Sequence, residues 1–106
     1  MIASKEEKIK SIERGIHKNY PEFEKYIEDS IDDMLLHNTG NKTFSAFLLA
    51  DKFKLSTKII LTLMNQMCNV LKYKGYNAEV IKEEESDVVD VLGNMYIEDH
   101  YLIIKK

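Results

Sequence analysis

Apolar residues recur at helical spacing as far as Gly75 and alternate beyond it. Ser4 followed by Glu7 has the spacing of a capping box and opens a helix with Ile9, Ile12 and Ile16 on one side. Gly15 weakens its last turn, and Tyr20-Pro21 ends it. Pro21 suits the first position of a second helix, along which Phe23, Tyr26, Ile27, Ile31, Met34 and Leu35 point inward down to about His37. The opposite side of that helix holds Glu22, Glu28, Asp29, Asp32 and Asp33. Such a run is ordinarily a solvated face; the sharper alternative is a docking surface for a basic partner.

His37-Asn38-Thr39-Gly40-Asn41 is a loop by composition. Thr43 is placed to cap a third helix, with Phe44, Phe47, Leu48 and Phe53 turned towards the core. Residues 42–75 then read as a helix-turn-helix. Leu49 and Phe53 face inward from its first helix, Ala50 sits where the two helices approach closely, and Leu55 plugs the turn. Lys54 stands where a turn glycine is usual. Ser56 caps a helix from Thr57 to about Lys74, with Ile60 and Leu63 on its inner side, and Gly75 ends it.

Beyond Gly75, Ala78, Val80 and Lys82 alternate as in a strand, and Glu83-Glu84-Glu85-Ser86 reads as a polar break. Val88-Val89-Asp90-Val91-Leu92 fits either a strand or one to two helical turns capped by Ser86 and ended by Gly93. Met95 to Ile104 is rich in β-forming residues, with Glu98-Asp99 as a turn. The expected fold is mainly α with a small antiparallel β wing, a winged helix-turn-helix. It divides into N-terminal helices (1–37), the helix-turn-helix (42–75) and the wing (77–106). At 106 residues the chain is expected to be one domain with one core.

Charge changes this picture more than composition does. The net charge of −3 argues against a polyanionic partner, but the charges are segregated. Residues 1–37 carry six basic and nine acidic side chains, and residues 81–106 carry three and seven. Residues 38–80 carry six basic ones (Lys42, Lys52, Lys54, Lys58, Lys72, Lys74) against Asp51 and Glu79. The positive field therefore falls on the helix-turn-helix, where a phosphate backbone would need it.

At about 100° per residue, Lys72, Asn65, Lys58, Asn69, Thr62, Tyr73 and Gln66 share one arc of the last helix, and none is acidic. That arc combines cations for phosphates with amides and hydroxyls able to bond to base edges. Its N-terminal half, with Ser56, Thr57, Lys58, Thr62 and Asn65, is best placed to reach bases in a major groove. Lys42 and Thr43, read as the start of the preceding helix, and Lys52 and Lys54 are placed to clamp phosphates. The apolar arc of the same helix spans roughly 200°, about twice what a surface helix needs. Either the first two helices wrap it on two sides, or Ile59, Leu61, Met64 and Cys68 pack against a second copy in a homodimer.

Asn41-Lys42-Thr43, the Leu55-Ser56-Thr57-Lys58 turn and an apolar helix running into Gly75-Tyr76 resemble the TubR centromere-binding adaptors of tubulin-like plasmid and phage partition systems. The resemblance covers roughly residues 41–76. It implies a winged-helix homodimer whose recognition helices enter one major groove together, bind repeated DNA sites and present them to a tubulin-like GTPase filament. The chain departs from a basic wing at Glu83-Glu84-Glu85 and Glu98-Asp99, which would repel phosphates.

Other chemistry finds little support. The sequence has no phosphate loop, dinucleotide fingerprint, zinc-spaced cysteine pair or nucleophile elbow. His17, His37 and His100 lack ligand spacing, so neither an enzyme nor a metal or cofactor is expected. Tyr96 and Tyr101 offer a stacking platform for single strands as a lesser alternative. A charged N-terminus, the absence of a membrane-length apolar run and the lone Cys68 point to the cytoplasm. The expectation is thus a sequence-specific double-stranded DNA-binding homodimer, a partition adaptor or a transcriptional repressor. The competing class is a protein-interaction or inhibitor module that does not bind DNA.

Overall fold

The computed structural model describes residues 2–85 and 97–106. Among these residues, four helices and a three-stranded antiparallel sheet enclose one hydrophobic core. The first helix, α1 (Lys5–Asn19), begins where Ser4 Oγ accepts the Glu7 N–H at 3.2 Å. It buries Ile9 and Ile16, and Ile12 packs at the core's edge. Tyr20 breaks the helix, and Pro21 then occupies the first turn of α2 (Pro21–Leu36), as its fixed φ favours. Phe23, Ile27, Ile31 and Met34 are buried, and Tyr26 meets Phe44 and Phe53 edge-on at 5.7 and 5.8 Å. Leu35 departs from expectation. Its side chain is 55% exposed, because the inward stripe of α2 ends on Met34.

The largest correction concerns residues 42–48. Thr43 caps no helix: Lys42–Ser45 form a strand, β1, and Ser45 caps α3 (Ala46–Phe53) by accepting the Leu48 N–H. The strand is held from far away, since Lys42, Thr43, Phe44 and Ser45 pair with Ile104, Ile103, Leu102 and Tyr101. Starting α3 at Ala46 puts Ala46, Leu49, Ala50 and Phe53 on its inner face at helical spacing. Phe47 and Leu48, expected in the core, are therefore turned outward, at 43% and 72% exposure.

Helix α3 stops at Lys54, whose φ of 55° and ψ of 42° are left-handed. A side chain there costs roughly 1–2 kcal/mol relative to right-handed backbone. The strain is local and closes a tight turn: the Leu55 N–H reaches Ala50 O at 3.1 Å, and Leu55 packs against the core. Ser56 Oγ then accepts the Ile59 N–H at 3.2 Å and starts α4 (Thr57–Tyr73). The helix ends in a turn with Gly75 at φ 98°, where the Tyr76 N–H bonds to Leu71 O.

Strands β2 (Asn77–Glu85) and β3 (Ile97–Lys105) complete the sheet in the order β1-β3-β2. Phe44, Ala78, Leu102 and Ile104 form its buried face, against the helices. Two readings change here. Glu83-Glu84-Glu85 is not a break and Glu98-Asp99 is not a turn, because one antiparallel ladder runs unbroken to the Glu85–Ile97 pair. Continuity of backbone pairing outweighs the adverse composition. The alternatives for residues 88–92, and Tyr96, lie outside the described residues.

Candidate functional site

Helix α4 is the beam on which the other elements rest. Its buried side chains, Ile60, Leu63, Met64, Met67, Cys68, Val70 and Leu71, face α1, α2, α3 and the sheet. The remaining side is exposed and polar: Thr57, Lys58, Thr62, Asn65, Asn69, Lys72 and Tyr73 all lie in solvent, with Gln66 half-buried at the border. No acidic residue occupies the helix or its first turn, so the positive end of its dipole has no neighbouring carboxylate in the helix. Thr62 Oγ1 donates to Lys58 O at 3.1 Å, and Asn65 Nδ2 donates to Leu61 O at 3.0 Å. Both donors thus rest on the helix's own carbonyls, on side chains that lie in solvent. A partner presenting stronger acceptors can draw the donors away.

The sequence-derived residues separate into two groups. Ser56, Thr57, Lys58, Thr62, Asn65 and Lys72 share α4, and no ion pair engages Lys58 or Lys72 among the described residues. Lys54 stands in the turn, 3.5 Å from Asp51, with both side chains highly exposed. Lys52 lies over the Tyr26 ring at 4.8 Å, a cation–π contact that directs its ammonium along the α2–α3 junction. Lys42 and Thr43 are placed differently from expectation. They belong to β1, ahead of the α3 N-terminus and not in its first turn. Lys42 Nζ is 2.8 Å from Asp33 Oδ2, and the ammonium holds that carboxyl below its ordinary pKa. This pair is first of all a strut between α2 and β1.

The expected dimer residues divide likewise. Met64 is fully buried and Cys68 nearly so, which removes both from any outer surface. Burial pushes the Cys68 thiol up from its ordinary pKa. Leu61 packs at the edge of the core. The wide apolar arc is consumed inside the chain, with α1 on one flank and the sheet on the other. Only Ile59, 37% exposed, remains at the rim, in a groove of about 540 Å³ between α1 and α4 that Lys58, Thr62 and Gln66 also line.

Ser45 and Asp99, to which the sequence reading gave no capping role, position the α3 N-terminus beside this surface. Asp99 on β3 accepts Ser45 Oγ–H at 2.5 Å through one carboxylate oxygen and the Phe47 N–H at 3.3 Å through the other. The N-terminus of α3 is therefore capped twice, once by Ser45 and once from the sheet. Ala46-Leu49-Ala50-Phe53 spacing could have indicated the shifted start of α3; nothing local could have indicated Asp99.

Among the described residues no group of three His, Cys, Asp or Glu side chains is placed to hold a metal ion. Among them, no helix is long and apolar enough to cross a membrane. No family model, curated protein or solved structure matches the chain.

Proposed function

We propose that this chain is a winged helix-turn-helix protein that binds double-stranded DNA as a homodimer, with α4 as the helix that enters the major groove. The observation that carries the reading is the acid-free polar face of α4, exposed along its length and open at its N-terminus. The element order, with β1 recruited to the edge of a β2–β3 hairpin, is compatible with a winged helix. Thr62 and Asn65 would read base edges, and Lys52, Lys54, Lys58, Lys72 and the α4 N-terminus would hold phosphates. Ile59 supports the dimer as an apolar residue at the rim of that same face. Resemblance to the TubR adaptors favours a partition role, with repeated sites and a tubulin-like GTPase filament as further partners; a transcriptional repressor would use the same contacts.

Anisotropy of a labelled duplex pool, followed across a salt series, tests this reading. Affinity should fall steeply with salt, roughly 0.9 decades per decade for each phosphate neutralised. Lys58→Ala should weaken binding to all sequences and reduce the slope by about 1, whereas Asn65→Ala should relax preference among selected sequences. No binding at low salt, or a flat salt response, would refute it. Ile59→Asp should shift a dimer towards monomer in light scattering. A monomer that ignores DNA would favour the interaction-module reading, for which the exposed acids of α2 are the supporting observation.

A further inference from the structure

On the side of α4 turned away from its polar face, α1, α2 and α4 enclose a pocket of about 230 Å³. Its floor is apolar, formed by Ile16, Ile27, Ile31, Met67, Val70 and Leu71. Carboxylates surround the mouth. Two are internally engaged: Glu13 with Lys74 at 2.9 Å, and Glu24 with His17 at 2.7 Å. Glu28 and Asp32 also line the mouth, and among the described residues no ion pair engages either of them.

The depression continues in both directions. Between α1 and α2, past the His17–Glu24 bridge, lies a second hollow of mixed charge, bordered by Lys10, Arg14 and His17 as well as Glu13, Glu24 and Glu28, so the surplus of acid is confined to the pocket end. Along α2 the stripe Glu24, Glu28, Ile31, Leu35 follows i, i+4, i+7, i+11 spacing and ends on the half-exposed Leu35. Along that side of α2 two acids are thus followed by two apolar residues. Of the three other expected members of the acidic face, Asp29 and Asp33 are taken by Lys25 and Lys42, and Glu22 lies in the first turn of α2.

We infer that this groove docks a basic amphipathic segment of a partner protein, with one large apolar side chain in the pocket and lysines or arginines against Glu28 and Asp32. Charge complementarity selects this occupant, since Glu28 and Asp32 at the pocket mouth would repel an acidic segment or a nucleic acid there. The pocket admits a single anchor of leucine or phenylalanine size, so the neighbouring cations must carry much of the specificity. The inference stands whether or not α4 reads DNA. Because the groove and the polar face lie on different sides of α4, occupation of one leaves the other open.

The probe is a fluorescein-labelled peptide of 14 residues with leucines on one helical face and lysines on the other. A peptide with glutamates at the lysine positions is the comparison. Anisotropy is expected to show saturable binding of the lysine peptide alone. Glu28→Lys with Asp32→Lys should weaken it at least tenfold. Glu22→Lys with Asp29→Lys, which changes net charge equally on the outer face of α2, should weaken it less than twofold. Amide chemical-shift mapping on the unsubstituted protein should place the peptide at Ile16, Ile31, Val70 and Tyr76, a readout independent of how the variants fold. Absence of binding, equal loss in both double variants, equal affinity for the glutamate peptide, or shifts centred on the polar face of α4 would each overturn the proposal.

Discussion

Replacing Asp99 by alanine should loosen α3, although the two lie on different elements. In the native fold the carboxylate accepts from Ser45 Oγ and from the Phe47 N–H, at the end of a helix whose first turn contains no acid of its own. A hydrogen bond to a charged group contributes about 1.5–3 kcal/mol, and a carboxylate at a helix N-terminus a further 0.3–1 kcal/mol. The Phe47 N–H is exposed, so water would replace part of what is lost, and the expected cost of Asp99→Ala is about 2 kcal/mol. Asp99→Asn keeps an acceptor without its charge and should cost about half as much. Urea unfolding followed by far-ultraviolet circular dichroism reads the change, with the midpoint falling by roughly 1 M at an unchanged slope. Ser45→Ala alone should cost about 1 kcal/mol as a lost cap. Because Ser45 both donates to Asp99 and accepts from Leu48, the double variant should cost less than the two single changes together. Strict additivity, or a loss below about 0.5 kcal/mol for Asp99→Ala, would refute the double cap.

Three further predictions concern single positions. Lys54→Gly relieves the left-handed strain but frees the unfolded chain, for a net gain of about 0.5 kcal/mol and a melting point roughly 2–4 °C higher; a lower melting point would place the strain elsewhere. The His17 pKa is raised by its hydrogen bond to Glu24 and by that carboxylate's charge, so the bridge's stabilisation is present below the ordinary histidine pKa and lost as pH rises through the elevated one. Glu24→Gln should return the His17 midpoint, followed by its ring proton shifts, towards the ordinary value. Cys68 should react slowly with a thiol reagent in the native protein and rapidly in denaturant, whereas fast native modification would contradict its burial.

The elements most legible in the sequence are those whose determinants are local. Ser4, Pro21, Ser56 and Gly75 each act within one turn of the boundary they set, and each occupies its expected place. Lys54 shows the same logic through an unfavourable residue, because the geometry of the turn holds it left-handed without glycine. What local reasoning missed is held from a distance. Thr43 is a residue type able to cap a helix, but pairing with Ile103 makes it a strand residue and leaves the cap to Ser45. Glu83 to Glu85 look like a loop until the opposite strand supplies their backbone partners. Within the candidate site, the polar arc of α4 was readable because helical periodicity alone defines it. Its apolar arc was ambiguous, since a buried flank looks the same whether the neighbour is α1 or another molecule. Met64 and Cys68 prove to be inside, whereas Ile59 stays at the rim.

The strand order also has a consequence for how the chain is made. The central strand, β3, follows β1 and β2 in sequence, and among the described residues each of those two pairs with β3 alone. During vectorial synthesis α1, α2 and α4 can close on their local caps, while β1 and β2 wait as open edges. Arrival of residues 97–105 then satisfies both edges together and delivers Asp99 to α3 in the same event. Termination of translation before Ile97 would therefore remove the whole sheet and half of a helix cap at once, leaving a ribosome-released fragment with two adhesive strands and no way to seal them.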